Sequence, residues 1–192
     1  TTSGVYFIQP ERKNINGWIS TNSQKLFQIN MEAYYTAYSK NPKTNFGFSL
    51  APRYRFNNQF SLRYRINFNK TLNDQGYVSE DSNKIIFGIR DRKNYTNTVS
   101  GKYSFSTKSS LSLSFRHYWS AVKYDSYANL YSNGRLYPNT TYTGKDVNFN
   151  SWNLDLNYIW QFAPGSQLSL VWKNGIDNQT NIPNSAKLVA IT

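Results

Sequence analysis

The stretch QFSLRYRINFN, residues 59–69, alternates apolar and polar side chains without a break. Successive side chains of a β-strand lie on opposite faces, so the alternation predicts a strand with two unlike faces. One face carries Phe60, Leu62, Tyr64, Ile66 and Phe68, and the other carries Gln59, Ser61, Arg63, Arg65, Asn67 and Asn69. The stretch therefore predicts one aromatic, apolar face and one basic, polar face.

Five further stretches alternate in the same way, at residues 46–56, 95–105, 111–119, 150–162 and 168–172. The longer runs have about 9–13 residues, whereas strands of soluble proteins average about 5–6. A tilted strand needs about 9–11 residues to cross a bilayer. The length of the runs favours a membrane wall over a soluble sandwich.

A second pattern recurs three times: an aromatic residue, one spacer, a Phe, five residues and a Leu. The turn-forming stretches NNQFS, STKSS and APGSQ separate Phe from Leu, so each copy predicts a β-hairpin. The rings fall on the apolar face, where a membrane-interface girdle is a stronger interpretation than a platform that stacks sugars or bases. The predicted interface aromatics are Tyr54, Phe56, Tyr103, Phe105, Trp119, Trp160 and Phe162.

The composition supports the same class. The 192 residues suffice for one domain, and 17% of them are aromatic, yet the mean hydropathy is only −0.67. A transmembrane β-barrel combines these values, because half of its strand residues face a polar interior. No run approaches 18 apolar residues, and the lack of cysteine excludes a disulfide scaffold and a thiolate site.

Connection lengths predict an orientation. Short bends at 21–24, 57–58, 106–109 and 163–166 alternate with longer polar stretches at 73–84, 125–148 and 175–184, with 40–45 as a short exception. Outer-membrane barrels have short periplasmic turns and longer extracellular loops. We therefore expect the aromatic motif to lie at the periplasmic rim.

The predicted fold is an all-β, antiparallel transmembrane β-barrel with about eight to ten strands. Residues 5–9 and 187–191 are candidates for the last two strands. Eight to ten strands suffice to close a barrel, but the abrupt ends also suit part of a larger one. We treat residues 1–192 as one barrel domain and expect it to be incomplete at one or both ends.

From about residue 44 to 176 the sequence resembles a Bacteroidota family of unknown function. The matching stretches are APRYRFNNQFSLRYR at 51–65, GKYSFSTKSSLSLSFRHYWS at 101–120 and NFNSWNLDLNYIWQFAPGSQLSLVWKN at 148–174. In that family a domain like carbohydrate-binding module family 9 precedes a C-terminal outer-membrane barrel. The resemblance implies an integral barrel in a Gram-negative envelope and supplies no catalytic residues.

His117 is the single histidine. It shares its phase with Leu111, Leu113, Phe115 and Trp119 on the apolar face, where a catalytic triad has no place. We predict an interfacial residue and no catalytic residues.

Basic side chains on the polar face are the stronger candidates for function. They are Arg53, Arg55, Arg63, Arg65, Lys102, Arg116 and Lys173, opposed there only by Glu32 and Asp155. Guanidinium groups suit carboxylate, phosphate or sulfate, so a basic lumen would attract anions. Charged lumen walls are also ordinary in barrels, and hydrated or plug-bound arginines are the plainer interpretation.

The stretch at 125–150 is rich in Tyr, Asn and Gly. Tyr127, Tyr131, Tyr137 and Tyr142 are candidates for glycan binding, and Asp125 and Asp146 for a Ca²⁺ site, although solvated loops have the same composition. We predict no metal and no cofactor.

The predicted function is an integral outer-membrane, porin-like module: a pore, an anchor or a subunit of an envelope complex. The expected partners are the lipid bilayer, lipopolysaccharide and other outer-membrane or periplasmic proteins. The net charge of +12 does not favour nucleic acid, because rings and arginines lie on opposite faces. The alternatives are an outer-membrane barrel hydrolase and a soluble, glycan-binding β-sandwich.

Overall fold

The computed structural model describes residues 6–81, 84–144 and 146–180. These residues contain nine β-strands and no helix. The strands are β1 (Arg12–Ser20), β2 (Phe27–Tyr38), β3 (Thr44–Arg55), β4 (Phe60–Asp81), β5 (Lys84–Ser106), β6 (Ser109–Leu130), β7 (Leu136–Asn139), β8 (Val147–Ala163) and β9 (Ser166–Thr180).

The strands form one antiparallel sheet in the order β1-β2-β3-β4-β5-β6-β8-β9, and the short β7 pairs with the last residues of β6. The predicted all-β, antiparallel class is confirmed. The expected closure is not observed, because β1 and β9 lie at opposite ends of this order and do not pair with each other. The described strands therefore make an open sheet with two free edges.

The short predicted bends are hairpin turns. At the β3–β4 turn, the Phe56 N–H donates to the Phe60 carbonyl at 3.0 Å, and the Asn57 side chain accepts from the backbone N–H groups of Gln59 and Phe60. At the β8–β9 turn, Gly165 has a φ of 75°. These turns mark one end of the sheet, which we call the turn end; the opposite end is the far end.

The register keeps the two faces of residues 59–69 continuous across the sheet. Phe48, Phe68, Tyr95 and Trp119 lie directly opposite one another on β3, β4, β5 and β6. Neighbouring rings in this row have centroids 5.5, 4.7 and 5.4 Å apart. We call this side the apolar face and the side that carries Arg63 the basic face.

Three of the strands are much longer than predicted, and the long loop predicted at 73–84 is wrong. β4, β5 and β6 have 22, 23 and 22 residues, because pairing continues towards the far end through most of 73–84. β-bulges between Thr71 and Asp74 and between Tyr77 and Ser79 absorb the irregular sequence there. Asn, Asp and Gly in this stretch disfavour strands locally, but pairing with β5 outweighs that preference.

The other two predicted loops are also shorter than expected. In 125–148, β6 extends to Leu130, β7 forms at Leu136–Asn139 and β8 begins at Val147. In 175–184, β9 extends through Thr180, and residues 181–184 lie outside the described part of the chain.

The predicted strand at 5–9 is not formed by its described residues, 6–9. Instead, the Phe7 ring packs 5.0 Å from the ring of Phe87, and the Ile8 N–H donates to the Gly134 carbonyl at 3.1 Å. The N-terminal segment is thus held against the far end. Residue 5 and the predicted strand at 187–191 lie outside the described residues.

Few apolar side chains are buried. Among the described residues these are Ala51, Ile85, Ile86, Phe87 and Ala128, four of them at the far end. The rings and aliphatic side chains nearer the turn end are exposed or half-buried. No helix that could cross a membrane is found in the described ranges.

Candidate functional site

The basic face brings together all seven predicted lumen cations. Arg53, Arg63 and Lys173 occupy one row across the sheet, with Ser100, Ser114 and Asp155 between them. Arg65 and Arg116 lie in the next row towards the far end, separated by Thr98. Arg55 and Lys102 both flank Ser61 on the turn-end side.

Arg53 and Arg63 lie directly opposite each other on β3 and β4. Like charges in this arrangement are destabilising. In the described part of the chain, neither has a carboxylate within 4 Å. Arg53 Nη2 donates to the Ser23 carbonyl at 2.6 Å, and Arg55 Nη2 donates to the same oxygen at 3.2 Å. Arg53 and Arg55 thereby hold the β1–β2 turn. Because a carbonyl oxygen is neutral, these hydrogen bonds leave the positive charges without a counter-ion.

A cavity of about 350 Å³ opens on this face. Its cations are Arg53, Arg63 and Lys102, and its hydroxyl groups come from serines on β4, β5 and β6. Arg53 and Arg63 are half-buried, whereas Arg65 and Arg116 lie outside the cavity and are exposed. The Arg53 Nε atom is buried and has no hydrogen-bond partner. The cavity therefore offers charged and neutral donors whose capacity is unused.

Acidic groups on the basic face are few and distant from the arginine pair. Asp155 lines the opposite wall of the cavity, three strands from Arg63, which corresponds to about 14 Å at normal strand spacing. It lies directly opposite Lys173 on β9. Glu32 lines a separate cavity of about 200 Å³ with Asn67, Asn69 and Asn94.

The predicted interface aromatics lie on the apolar face. In each motif the two rings contact each other: Tyr54 with Phe56 at 4.7 Å, Tyr103 with Phe105 at 4.9 Å, and Trp160 with Phe162 at 5.8 Å. All six are exposed. Trp119 lies nearer the far end, against Tyr95. The β1–β2 hairpin has the motif spacing with Trp18 first, Ser20 in the Phe position and Leu26 in the Leu position. Trp18 lies opposite Glu32 and so belongs to the basic face.

His117 lies on the apolar face, opposite Trp152. Its ring stacks on the Trp152 ring at 4.0 Å, and its Nε2 atom lies 2.7 Å from Asn150 Oδ1. These contacts fix the imidazole against the Trp152 ring on the apolar face.

The four tyrosines proposed for glycan binding separate into two pairs. Tyr131 and Tyr137 are exposed, and their ring centroids lie 4.7 Å apart. Tyr127, on β6, contacts Tyr142 at 4.9 Å on the basic face. Tyr127 and Tyr137 lie in strands rather than loops.

A charged cluster on the basic face at the far end was not predicted from the sequence. Asp74 is buried, and its carboxylate contacts three cations: Lys43 Nζ at 2.9 Å, Arg92 Nε at 3.0 Å and Arg90 Nε at 3.2 Å. Burial alone would raise the pKa of Asp74, but the hydrogen bond from Lys43 and the guanidinium groups of Arg92 and Arg90 hold that pKa below its ordinary value.

An aromatic clamp adjoins this cluster. Arg90 Nη1 donates to the Tyr124 hydroxyl at 2.9 Å, and the Tyr124 and Tyr127 rings stack at 5.4 Å. The Tyr124 N–H donates to Asp146 Oδ1 at 2.8 Å, and the Ser79 hydroxyl donates to Tyr142 Oη at 3.3 Å. Burial raises the pKa of the Tyr127 hydroxyl. Tyr142 and Asp146 are therefore fastened to β-strands at the far end.

The sequence gives no local signal for either feature. Asp74 and Arg90 are 16 residues apart, and they meet only because two bulges set the β4–β5 register at this height. The signal available was compositional: Asp74 is one of only ten acidic residues in a chain with 22 basic ones.

A family described as "Domain of unknown function (DUF5916)" matches residues 1–188, nearly the whole chain. No curated protein matches the sequence. No solved structure matches it either.

Proposed function

Because the chain belongs to the DUF5916 family of domains of unknown function, we propose its role from its geometry: it forms part of the wall of an outer-membrane β-barrel. In this proposal the apolar face contacts lipid and the basic face contacts water. The wall acts as a pore, as an anchor for a neighbouring domain, or as a subunit of an envelope complex.

The observation that carries the proposal is the exposure of large apolar side chains on one face. Leu170, Trp172 and Ile176 on β9 are more than half exposed, and exposed rings continue across β8, β5, β4 and β3. Soluble monomers rarely expose a contiguous apolar patch larger than a few hundred Å². Among the described residues, no second layer covers this face. A single-layer sheet has a reason to expose such side chains only where lipid or another protein covers them.

The height of the apolar band suits a membrane. On β8 the band runs from Trp152 to Phe162, ten residue steps, or about 33 Å along the strand. At a tilt of about 40°, this corresponds to a vertical height of about 25 Å, the height of the apolar band of outer-membrane barrels. The band ends at Lys70 and Lys93, which lie directly opposite each other on the apolar face. Lysines at this position would extend their ammonium groups to the headgroups.

Closure of the wall is also part of the proposal. Unpaired backbone groups in hydrocarbon cost several kcal/mol each, so lipid does not tolerate a free sheet edge. The outer edges of β1 and β9 have no strand partner among the described residues. We propose that further strands, of this protein or of a partner chain, join these edges.

On the sequence resemblance described above, we propose a Gram-negative envelope as the location. We propose that the motif turns face the periplasm, because the longest connection between described strands, which joins β6 to β8 and contains β7, lies at the far end. A domain like carbohydrate-binding module family 9 would then be a periplasmic or external partner of the barrel. The basic face would give the aqueous side a preference for anions.

Substituted-cysteine labelling tests the proposal directly, since the chain has no cysteine of its own. Ser114 and Phe115 are neighbours on β6 and point to the basic and the apolar face, respectively. The protein would carry either Ser114→Cys or Phe115→Cys in intact outer membranes, and a charged, membrane-impermeant maleimide would be added. We expect the cysteine at 114 to react and the cysteine at 115 to react only after denaturation.

Equal labelling of both positions in intact membranes would refute a lipid-facing apolar face. Recovery of the unlabelled protein in the aqueous fraction without detergent would refute membrane insertion altogether. A second matched pair, Arg65→Cys and Ile66→Cys on β4, checks that the alternation is a property of the sheet and not of one site.

A further inference from the structure

We propose that the cavity around Arg53, Arg63 and Lys102 is a binding site for a phosphomonoester or inorganic phosphate dianion. The inference deepens the proposed function, because it rests on the basic face being open to water. It names the chemistry of the solute that this face recognises.

The cavity holds more cations than carboxylates. Arg53 and Arg63 are directly opposed, and Lys102 lies one row towards the turn end, opposite Ser61 and Ser112. Within the described ranges, none of the three has a carboxylate within 4 Å. Three cations that share a cavity repel one another, and a bound dianion would remove that repulsion.

The two arginines of the cavity have unused hydrogen-bond donors. Arg53 Nε is buried without a partner, although Nη2 of the same side chain bonds to the Ser23 carbonyl. A buried donor without a partner is costly, so a partner absent from the protein itself is expected there. Arg63 makes no hydrogen bond to another described side chain or carbonyl, so its guanidinium fork is free.

Neutral hydroxyl groups complete the lining of the cavity. Hydroxyl groups of Ser61, Ser100, Ser112 and Ser114 continue from the arginine pair across three strands. The cavity volume of about 350 Å³ lies within the range of small-molecule sites and exceeds the size of a bare oxyanion. The cations would hold the phosphoryl group, and the serines would donate to or accept from a small polar organic group.

A dianion is favoured over a carboxylate because of the charge balance. Asp155 also lines the cavity, but it lies at the opposite wall and faces Lys173. The end of the cavity at Arg53 therefore has three uncompensated positive charges. Guanidinium forks bind tetrahedral oxyanions through paired N–H···O contacts, which a doubly charged phosphoryl group can accept from both arginines at once.

Isothermal titration calorimetry of the full protein in non-ionic detergent, at a fixed ionic strength of about 0.15 M, tests the site. Phenyl phosphate, inorganic phosphate, sulfate and acetate would be titrated separately. We expect the dianions to bind and acetate to bind at least about tenfold more weakly. If phenyl phosphate binds more tightly than inorganic phosphate, the ligand is a phosphomonoester. If inorganic phosphate binds more tightly, the ligand is free phosphate.

Matched variants locate the site. Arg63→Gln removes a guanidinium that holds no protein partner, and we expect it to weaken phosphate binding about tenfold or more, the loss of one charge-assisted hydrogen bond. Arg116→Gln removes the same charge from the same face outside the cavity, and we expect a change of less than about threefold. Equal weakening by both variants would refute a built site and leave only general attraction of anions.

A pH comparison supplies an independent readout. A phosphomonoester loses its second negative charge below its second pKa of about 6, whereas sulfate remains doubly charged. Phenyl phosphate should therefore bind several-fold more weakly at pH 5 than at pH 7.5, with sulfate binding unchanged. Equal competition by chloride would overturn the inference. If no dianion binds but the cysteine labelling alternates between the faces, the binding site is refuted and the membrane wall stands. If a freely soluble protein binds dianions, the binding site stands and the membrane wall is refuted.

Discussion

Lys43 Nζ lies 2.9 Å from Asp74 Oδ1, and this contact ties the β2–β3 connection to β4 beyond its first bulge. Lys43 also lies over the Tyr38 ring, 4.9 Å from its centroid. Arg90 and Arg92 on β5 reach the same carboxylate. One buried carboxylate thus joins two strands, β4 and β5, and the β2–β3 turn at a height where the apolar band has already ended.

Replacement of Asp74 by Asn should destabilise the protein by about 3 kcal/mol, because it leaves three cations together without their shared counter-ion. The expected measurement is urea-induced unfolding followed by tryptophan fluorescence. Asp125→Asn is the matched control, since Asp125 is exposed at the β6 bulge and contacts no other described charge. Similar unfolding midpoints for the two variants would show that the cluster adds nothing to stability.

The same carboxylate predicts a specific acid sensitivity. Its pKa in the folded protein lies below its ordinary value of 3.8, so its stabilising contribution is complete above about pH 4. That contribution is lost as the pH falls through the lowered pKa of the folded state. The stability difference between the wild type and Asp74→Asn should therefore shrink as the pH is lowered below 3.8. A difference that stays constant over this range would contradict the lowered pKa.

The parts of the fold that could be predicted are those that short stretches of sequence determine. Alternation fixes which side of a strand each residue occupies, and turn residues fix where hairpins bend, so the two faces and the turn end followed from residues such as Arg63 and Phe56. Register at the far end depends on bulges near Asn73 and Val78, which no short-range pattern encodes. The Asp74 cluster and the length of β4 were missed for that reason.

Closure was beyond prediction for a different reason. Whether β1 meets β9 depends on the summed twist and stagger of the whole sheet, not on any one strand. The weak hairpin at Trp18 illustrates the limit on a smaller scale. Its sequence resembles the aromatic motif, but pairing of Trp18 with Glu32 puts the indole on the basic face.

Gly165 should be intolerant of a side chain for a purely conformational reason. Its φ is 75°, a region that disfavours residues with a Cβ, although a Cβ there would meet no atom within 4 Å. We expect Gly165→Ala to cost about 1 kcal/mol. Gly17→Ala is the control, because Gly17 also has open space around it and has no positive φ. Its unfolding midpoint should stay the same or rise slightly; equal losses in both variants would exclude backbone strain as the cause.

Charge on the apolar face separates a membrane wall from a soluble sheet. Val99 is 37% exposed and lies midway between the turn end and the lysine pair that ends the apolar band. In a soluble protein, Val99→Arg at such a position would change stability by about 0.5 kcal/mol or less. In a bilayer it should cost about 2–4 kcal/mol, the value for a cation near the midplane on the lipid face of a barrel.

Unfolding of the lipid-reconstituted protein in urea measures this cost. Ser151→Arg is the control on the basic face, where the new guanidinium would lie opposite Asp177 on β9 and in contact with water. We expect that control to leave stability within about 0.5 kcal/mol of the wild type. If Val99→Arg is as mild as Ser151→Arg, the apolar face contacts water rather than lipid, which would contradict the proposed membrane wall.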